Sequence, residues 1–280
     1  MLVVAAVGCD LLRRQGKDLA RTLAELADEH HLVLALGSRS SLGRPFSDEM
    51  PVGGVPSYPL EVFEDEMDDS VGLRFERGLA AWLPDGRVAT MLTRVTVDGD
   101  DPAFTCPTTP VGPLLDFPDA ERLARAHGWA IAADSIRSGW RRVVASPRPR
   151  SVVELPTFRI LVDAGVTVMW PVYAAIPVMR TPVGRLCRVE AAIEGDVMAA
   201  LLAVELDADA LLLLTDPDVA GVEGDAVAAR AVVDRFVEQG GWLGSVVPFP
   251  DAPGALRGEA GVTVREQRAG ASAPGRRRLA

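Results

Sequence analysis

Residues 3–37 limit the possible folds more than any other stretch. VVAAVG (3–8) is an apolar run of strand length that ends in Gly8. KDLARTLAELADEH (17–30) carries leucines at 19, 23 and 26, the spacing of an amphipathic helix, and HLVLALG (31–37) is a second apolar run ending in Gly37. Two strands joined by a helical crossover lie parallel, because the crossover brings the chain back to the edge it left.

The second half repeats that grammar. VELPTFRILVDAG (153–165) reads as a helix closed by Gly165, VTVMW (166–170) as a buried strand, and DVMAALLAVELDA (196–208) as an apolar helix with Asp196 at its N-cap. ALLLLTDPD (210–218) is a fully buried strand ending in two aspartates, AVAARAVVDRFVEQGG (226–241) a helix and WLGSVVPF (242–249) a last strand. Earlier, GLRFERGLAAWL (72–83) is helical in pattern and VATMLTRVTVD (88–98) strand-like. Alternation from end to end predicts a doubly wound α/β fold with a mostly parallel sheet. Ligands of such folds sit at the carboxyl ends of strands, which directs attention to Gly8–Asp10, Gly37–Gly43, Trp170–Ala175 and Thr215–Asp218.

Two segments break the alternation. Residues 38–70 are rich in Gly, Pro and Ser and include the acidic run EVFEDEMDD (61–69), which suits a solvated helix start better than a metal site. Residues 101–118 hold prolines at 102, 107, 110, 113 and 118, too many for a helix or an inner strand, so they form an ordered loop or arm. A helix follows at 119–128. In RRVVASPRPR (141–150), Arg141, Arg142, Arg148 and Arg150 stand around Pro147 and Pro149. That chemistry fits an anionic ligand, and equally a surface hairpin paired with the acidic excess.

A net charge of −10 excludes nucleic acid as the expected partner, since phosphate binding needs a basic face. No apolar run approaches the ~20 residues of a membrane span, and MLVVAAVGCDLLRR places its charges after the apolar run, the reverse of a secretory signal; the expected location is the cytoplasm. Cys9, Cys106 and Cys187 are far apart, without metal-ligand spacing, and read as buried thiols. His30, His31 and His127 follow helical segments, where an imidazole complements a helix C-terminus. Of 29 basic residues 28 are arginine, and Lys17 is the only lysine.

DDPAFTCPTTPVGP (100–113), GWRRVVASPRPRSVVE (139–154), IPV (176–178), VEAAIEGD (189–196) and ADALLLLTDPD (208–218), in that order, resemble carbamate kinase of the amino-acid kinase superfamily. The resemblance covers nearly the whole chain and is strongest between about residues 95 and 218. It implies a three-layer αβα sandwich with an open, mostly parallel sheet of about eight strands. The corresponding single domain spans 1–267, with a protruding proline-rich arm at approximately 98–150 and a tail at 268–280. It also implies a homodimer, and a phosphoryl transfer between ATP and carbamate with magnesium.

Position by position the resemblance is uneven. The family's first loop, Gly-Gly-Asn, is here Gly8-Cys9-Asp10; its second glycine-rich loop is Gly37-Ser38-Arg39-Ser40-Ser41-Leu42-Gly43. Its run of four glycines is Val172-Tyr173-Ala174-Ala175, so that Trp170 and Tyr173 suggest a phosphate site filled with side chains. The family's Asp-Lys-Asp is Glu194-Gly195-Asp196, its Gly-Pro-Lys is Gly224-Asp225-Ala226, and the lysine of its arm falls at Arg148. The short VAGVEG (219–224) replaces the segment that covers the nucleotide.

Carried over residue by residue, the candidate catalytic groups are Asp196 and Arg148, although Asp196 serves equally as a helix cap. The candidate phosphate or substrate loops are Gly8, Asp10, Gly37, Arg39 and Gly43; the candidate nucleotide contacts are Thr215, Asp216 and Asp218; no protein metal site is expected. Two functions compete. The favoured one is a catalytically impaired or repurposed homologue, acting as a subunit with a protein partner or as a small-anion binder. The other is an active phosphotransferase in which arginines replace lysines, using ATP or ADP and magnesium. Arginine-rich composition does not account for Gly195 or Ala226, which are not arginines.

Overall fold

The computed structural model describes residues 1–38, 72, 74–134, 138–172, 175–218 and 223–265. Arg39, Gly43, Tyr173, Ala174, the acidic run 61–69 and the tail 268–280 lie outside the described residues.

Seven strands form the central sheet. In spatial order they are Val262–Arg265 (β14), Leu243–Pro248 (β13), Ala210–Thr215 (β12), Leu2–Gly8 (β1), His31–Ser38 (β2), Thr167–Pro171 (β9) and Val88–Thr90 (β3). All neighbours pair in parallel except β14, which returns antiparallel to β13. The sheet is largely parallel and flanked by helices, as expected, while the closing β14 and the helix before it carried no clear sequence pattern.

The helices are Cys9–Glu29 (α1), residues 74–80 (α2), Phe117–His127 (α3), Leu155–Asp163 (α4), Gly195–Glu205 (α5), Glu223–Glu238 (α6) and Ala252–Arg257 (α7). Strand alternation sorts the core into two halves. Val3, Ala5 and Val7 face α1, α2 and α7, whereas Val4 and Ala6 face α4, α5 and α6. Both faces are therefore dry, which is why β1 and β12 are continuous apolar runs. Each fully buried Leu, Val or Phe contributes about 1.5–3 kcal/mol to this arrangement.

Trp170 belongs to that core. Its side chain is fully buried, meets Phe158 edge-on at 5.8 Å and donates its indole N–H to Thr93 Oγ1 at 2.7 Å. The expectation that Trp170 fills a ligand site is thereby corrected: on β9 it points to the α4–α5 face, not over the strand end.

VATMLTRVTVD divides between two sheets. Its second part, Arg94–Val97 (β4), joins a four-stranded sheet ordered Leu186–Arg188 (β11), Ile176–Arg180 (β10), β4, Pro149–Val152 (β8). A third, antiparallel sheet holds Thr109–Leu115 (β5), Trp140–Val144 (β7) and Ala130–Ala133 (β6), with α3 beside it. Pro110 and Pro113 sit in β5, an edge strand, where a missing N–H costs no ladder bond.

The arginine-rich segment is largely consumed by structure. Arg141 is 1% exposed and donates to Asp134 Oδ2 and the Gly112 carbonyl, both at 2.6 Å. Arg142 lies 4.5 Å over the Trp129 ring and pairs with Glu190, while Arg150 pairs with Asp98 at 3.0 Å. The thiols differ from expectation as well: Cys106 and Cys187 are exposed and Cys9 is half-buried. Among the described residues no helix is long and apolar enough to cross a membrane.

Thr93→Val removes the acceptor of the buried Trp170 N–H. It should cost about 1–3 kcal/mol in urea unfolding, and an unchanged midpoint would show that the bond contributes nothing. A second test uses Glu205, which accepts the Val152 N–H at 2.8 Å and whose carboxyl burial raises above its ordinary range. A raised carboxyl keeps its proton longer when folded, so stability declines as pH rises from the ordinary carboxylate value through the raised one. Glu205→Gln lacks that decline; urea midpoints of both proteins across this window should diverge, and parallel curves would refute the assignment.

Candidate functional site

Parallel pairing fixes where the site residues meet. Val7 pairs with Leu214 and Gly8 with Ser38, which brings the ends of β12, β1 and β2 to one level. Between Val7 and Gly8 the register with β2 shifts, and Gly37 takes up the extra residue at φ 93°, a conformation that strains any side chain bearing a Cβ. Gly8 is the N-cap of α1 and has no side chain with which to cap that helix.

Asp10 sits in the first turn of α1, where the helix dipole favours a carboxylate. Arg13 lies 4.0 Å from its Oδ1, and Oδ2 is buried without a hydrogen-bond partner. Across the edge, Thr215 ends β12 and Asp216 follows it, 7% exposed. Asp216 Oδ1 accepts the Asp218 N–H at 3.0 Å, closing the turn that Pro217 begins to shape.

What holds that turn comes from a distant part of the chain. Gln15 of α1 leaves the helical conformation (φ −128°, ψ 20°), and its side-chain amide donates to Asp216 Oδ1 and Asp218 Oδ2, each at 2.9 Å. Arg14 adds its guanidinium 3.8 Å from Asp216 Oδ2. Both carboxylates at the end of β12 are thus engaged by the first helix. The one available signal was Gly16, a helix-weakening residue next to the kink. Lys17, one residue further, is on the exposed face of α1.

Asp196 is 6% exposed in the first turn of α5. It is not the N-cap expected from sequence; Glu194 takes that place and makes no capping bond through its side chain. Because α5 ends beside the start of β12, its first turn lies at the carboxyl edge, on the same side as Gly8 and Asp216. Gly195, buried ahead of Asp196, brings no charge there. Arg148 is placed elsewhere in the bonding pattern: its side chain is exposed between β7 and β8, and its backbone N–H donates to Asp101 Oδ2 at 3.0 Å.

Among the described residues no three of His, Cys, Asp and Glu converge as a metal cluster. Magnesium commonly arrives on the phosphates of a nucleotide. Asp216 and Asp218, the candidate nucleotide contacts, both accept hydrogen bonds from the Gln15 amide.

A parallel sheet between two helical layers, with its polar residues gathered at the carboxyl edge and an arm beside it, is the amino-acid kinase architecture. No family model matches the sequence. Relatives do: carbamate kinase of Rhizobium meliloti is 35% identical over 233 residues, covering 78% of this chain and 71% of that one. Carbamate kinase of Pyrococcus furiosus is 31% identical over 311 aligned positions, covering 94% of this chain and 98% of its own. The crystal structure of a protein from Aeropyrum pernix superposes with a TM-score of 0.76 at 28% identity, covering 95% of this chain and 99% of that one. For carbamate kinase of Giardia lamblia bound to AMP-PNP the TM-score is 0.75 at 24% identity, covering 94% and 97%. The chain belongs to the carbamate kinase family.

Gln15→Glu should lose more stability at neutral pH than Gln15→Ala, because it sets a third carboxylate against Asp216 and Asp218. The excess loss should fade as the pH falls through the carboxylate range. Equal urea midpoints for the two variants at neutral pH would mean that the amide does not face these aspartates.

Proposed function

We propose that this member of the family has lost phosphoryl transfer and serves as a non-catalytic subunit or a binder of a small anion at the carboxyl edge. The observation that carries the reading is the Gln15 contact, which occupies Asp216 and Asp218 together. The missing charges support it. Phosphoryl transfer depends on positioned cations and N–H donors, each worth about 3 kcal/mol, so losing two lysines would slow it by more than about 10⁴-fold. Gly195 stands where the family resemblance implies one of those lysines, and Lys17 is exposed on α1.

The small-anion reading draws on the positive end of the α1 dipole, with Arg13 and Arg14 beside it. A homodimer located in the cytoplasm fits the same proposal, and so does a second protein as partner. Two observations favour retained activity instead: Asp196 is buried at the start of α5, and the relatives at 30–35% identity are carbamate kinases.

Calorimetric titration with ADP and a coupled assay for ATP formation from ADP and carbamoyl phosphate, with magnesium or manganese, decide between the two. The proposal expects neither binding nor turnover. Micromolar ADP affinity with measurable ATP formation would overturn it and establish the active reading.

A further inference from the structure

Strands β10 and β11 form a hairpin, and among the described residues no strand lies beyond β11 in its sheet. The hairpin is well fastened. Thr181 N–H donates to the Arg185 carbonyl and Gly184 N–H to the Thr181 carbonyl, both at 2.8 Å, while Arg185 N–H donates to Thr181 Oγ1 at 3.1 Å. Pro182 shapes the turn, and Gly184 follows it at φ 81°, the left-handed position of a short hairpin loop.

Register decides which backbone groups look outward. Thr181 N–H meets the Arg185 carbonyl and Val189 N–H meets the Pro177 carbonyl at 3.0 Å, so the odd-numbered residues here bond toward β10. Leu186, set between them, turns its N–H and C=O to the open edge.

This edge is basic in an acidic molecule. Arg180, Arg185 and Arg188 are exposed, and no carboxylate occurs from Ile176 to Val189, although the chain carries a net charge of −10. The carboxylates that flank the hairpin are engaged elsewhere. Asp98, which follows β4 level with Arg180, pairs with Arg150 at 3.0 Å, and Glu190, just past β11, pairs with Arg142. Among the described residues neither Arg180 nor Arg185 has a carboxylate partner; the Arg180 guanidinium reaches only the Gly184 carbonyl, at 3.4 Å.

We infer that β11 is a docking edge for an acidic, extended segment of a partner protein, which adds as an outer strand: its backbone pairs at Leu186, and its carboxylates face the arginines of the hairpin. A second copy of this chain is disfavoured, because pairing β11 with itself sets arginine against arginine. Nucleic acid is disfavoured by the net charge and forms no strand ladder. The inference names the chemistry of the protein partner proposed above and rests on that part of the reading.

The test is fluorescence anisotropy of the intact chain with a labelled peptide of about eight residues that alternates Glu and Thr. One control peptide carries Lys for Glu; another carries Pro for Thr, which keeps the charge and removes strand N–H groups. The Glu–Thr peptide should bind with a Kd of about 10–100 μM and weaken as salt rises, and both controls should bind at least about tenfold more weakly. Arg185→Glu should weaken the Glu–Thr peptide about tenfold and Arg180→Ser by a smaller factor, with urea midpoints unchanged at these exposed positions. No saturable binding, equal affinity for the Pro peptide, an oligothymidylate bound as tightly as the peptide, or wild-type affinity in Arg185→Glu would each overturn the docking edge. The assay for ATP formation reads separately. Turnover together with peptide binding refutes only the loss of catalysis, and neither turnover nor peptide binding refutes only the docking edge.

Discussion

Everything in this molecule depends on the parallel register of β1 between β12 and β2. Parallel strands connected by helices must send each helix back against the strand direction. The helices packed on this sheet then begin at one of its edges and end at the other. The two edges are thereby opposite in potential before any side chain is counted, positive where α1 and α5 begin and negative where α1, α4 and α5 stop. Side-chain chemistry follows that division: Gly8, Arg13 and Arg14 are at the first edge, and Asp28, Asp163 and Asp207 at the second.

The same geometry separates stability from chemistry. The core is in the two faces, where Val3, Ala5 and Val7 pack one way and Val4 and Ala6 the other. The edges add little buried apolar area, so replacement of a lysine or glycine there costs little fold stability. The buried LLLLT run and the apolar turns of α5 hold the layers together, and Arg141 ties β7 to the Gly112 carbonyl of β5 inside the arm.

The alternation of apolar strands and amphipathic helices was legible because both have short, local periods. Burial on both faces made β1, β2, β9 and β12 continuous apolar runs, and strand-end glycines marked the turns. What sequence could not show was direction. Trp170 at the end of an apolar run looks like a plug, yet strand parity turns it toward Phe158 and away from the edge. The arginines of 141–150 looked equally fit for an anion, but Asp134, Glu190 and Asp98 come from separate places in the chain, and only the fold brings them together. Gln15 was missed for the same reason: its partners lie some two hundred positions away, with only Gly16 to hint that α1 bends.

The bend also explains why the arginine content of the chain is a poor guide to whether lysine function was preserved. A lysine that meets a transferring phosphoryl group works as a mobile point charge on a long stem, and an arginine in its place must present a planar fork from the same backbone position. Gly195, at the start of α5, brings no side chain at all. The nearest arginines shown at this edge, Arg13 and Arg14, come from α1 and are directed to Asp10 and Asp216, so part of their field is spent on the chain's own carboxylates. An anion entering at the start of α1 would have to share those charges rather than find them waiting. Static binding and transition-state stabilisation both draw on such charges, the second only where they are held in place for the charge that develops.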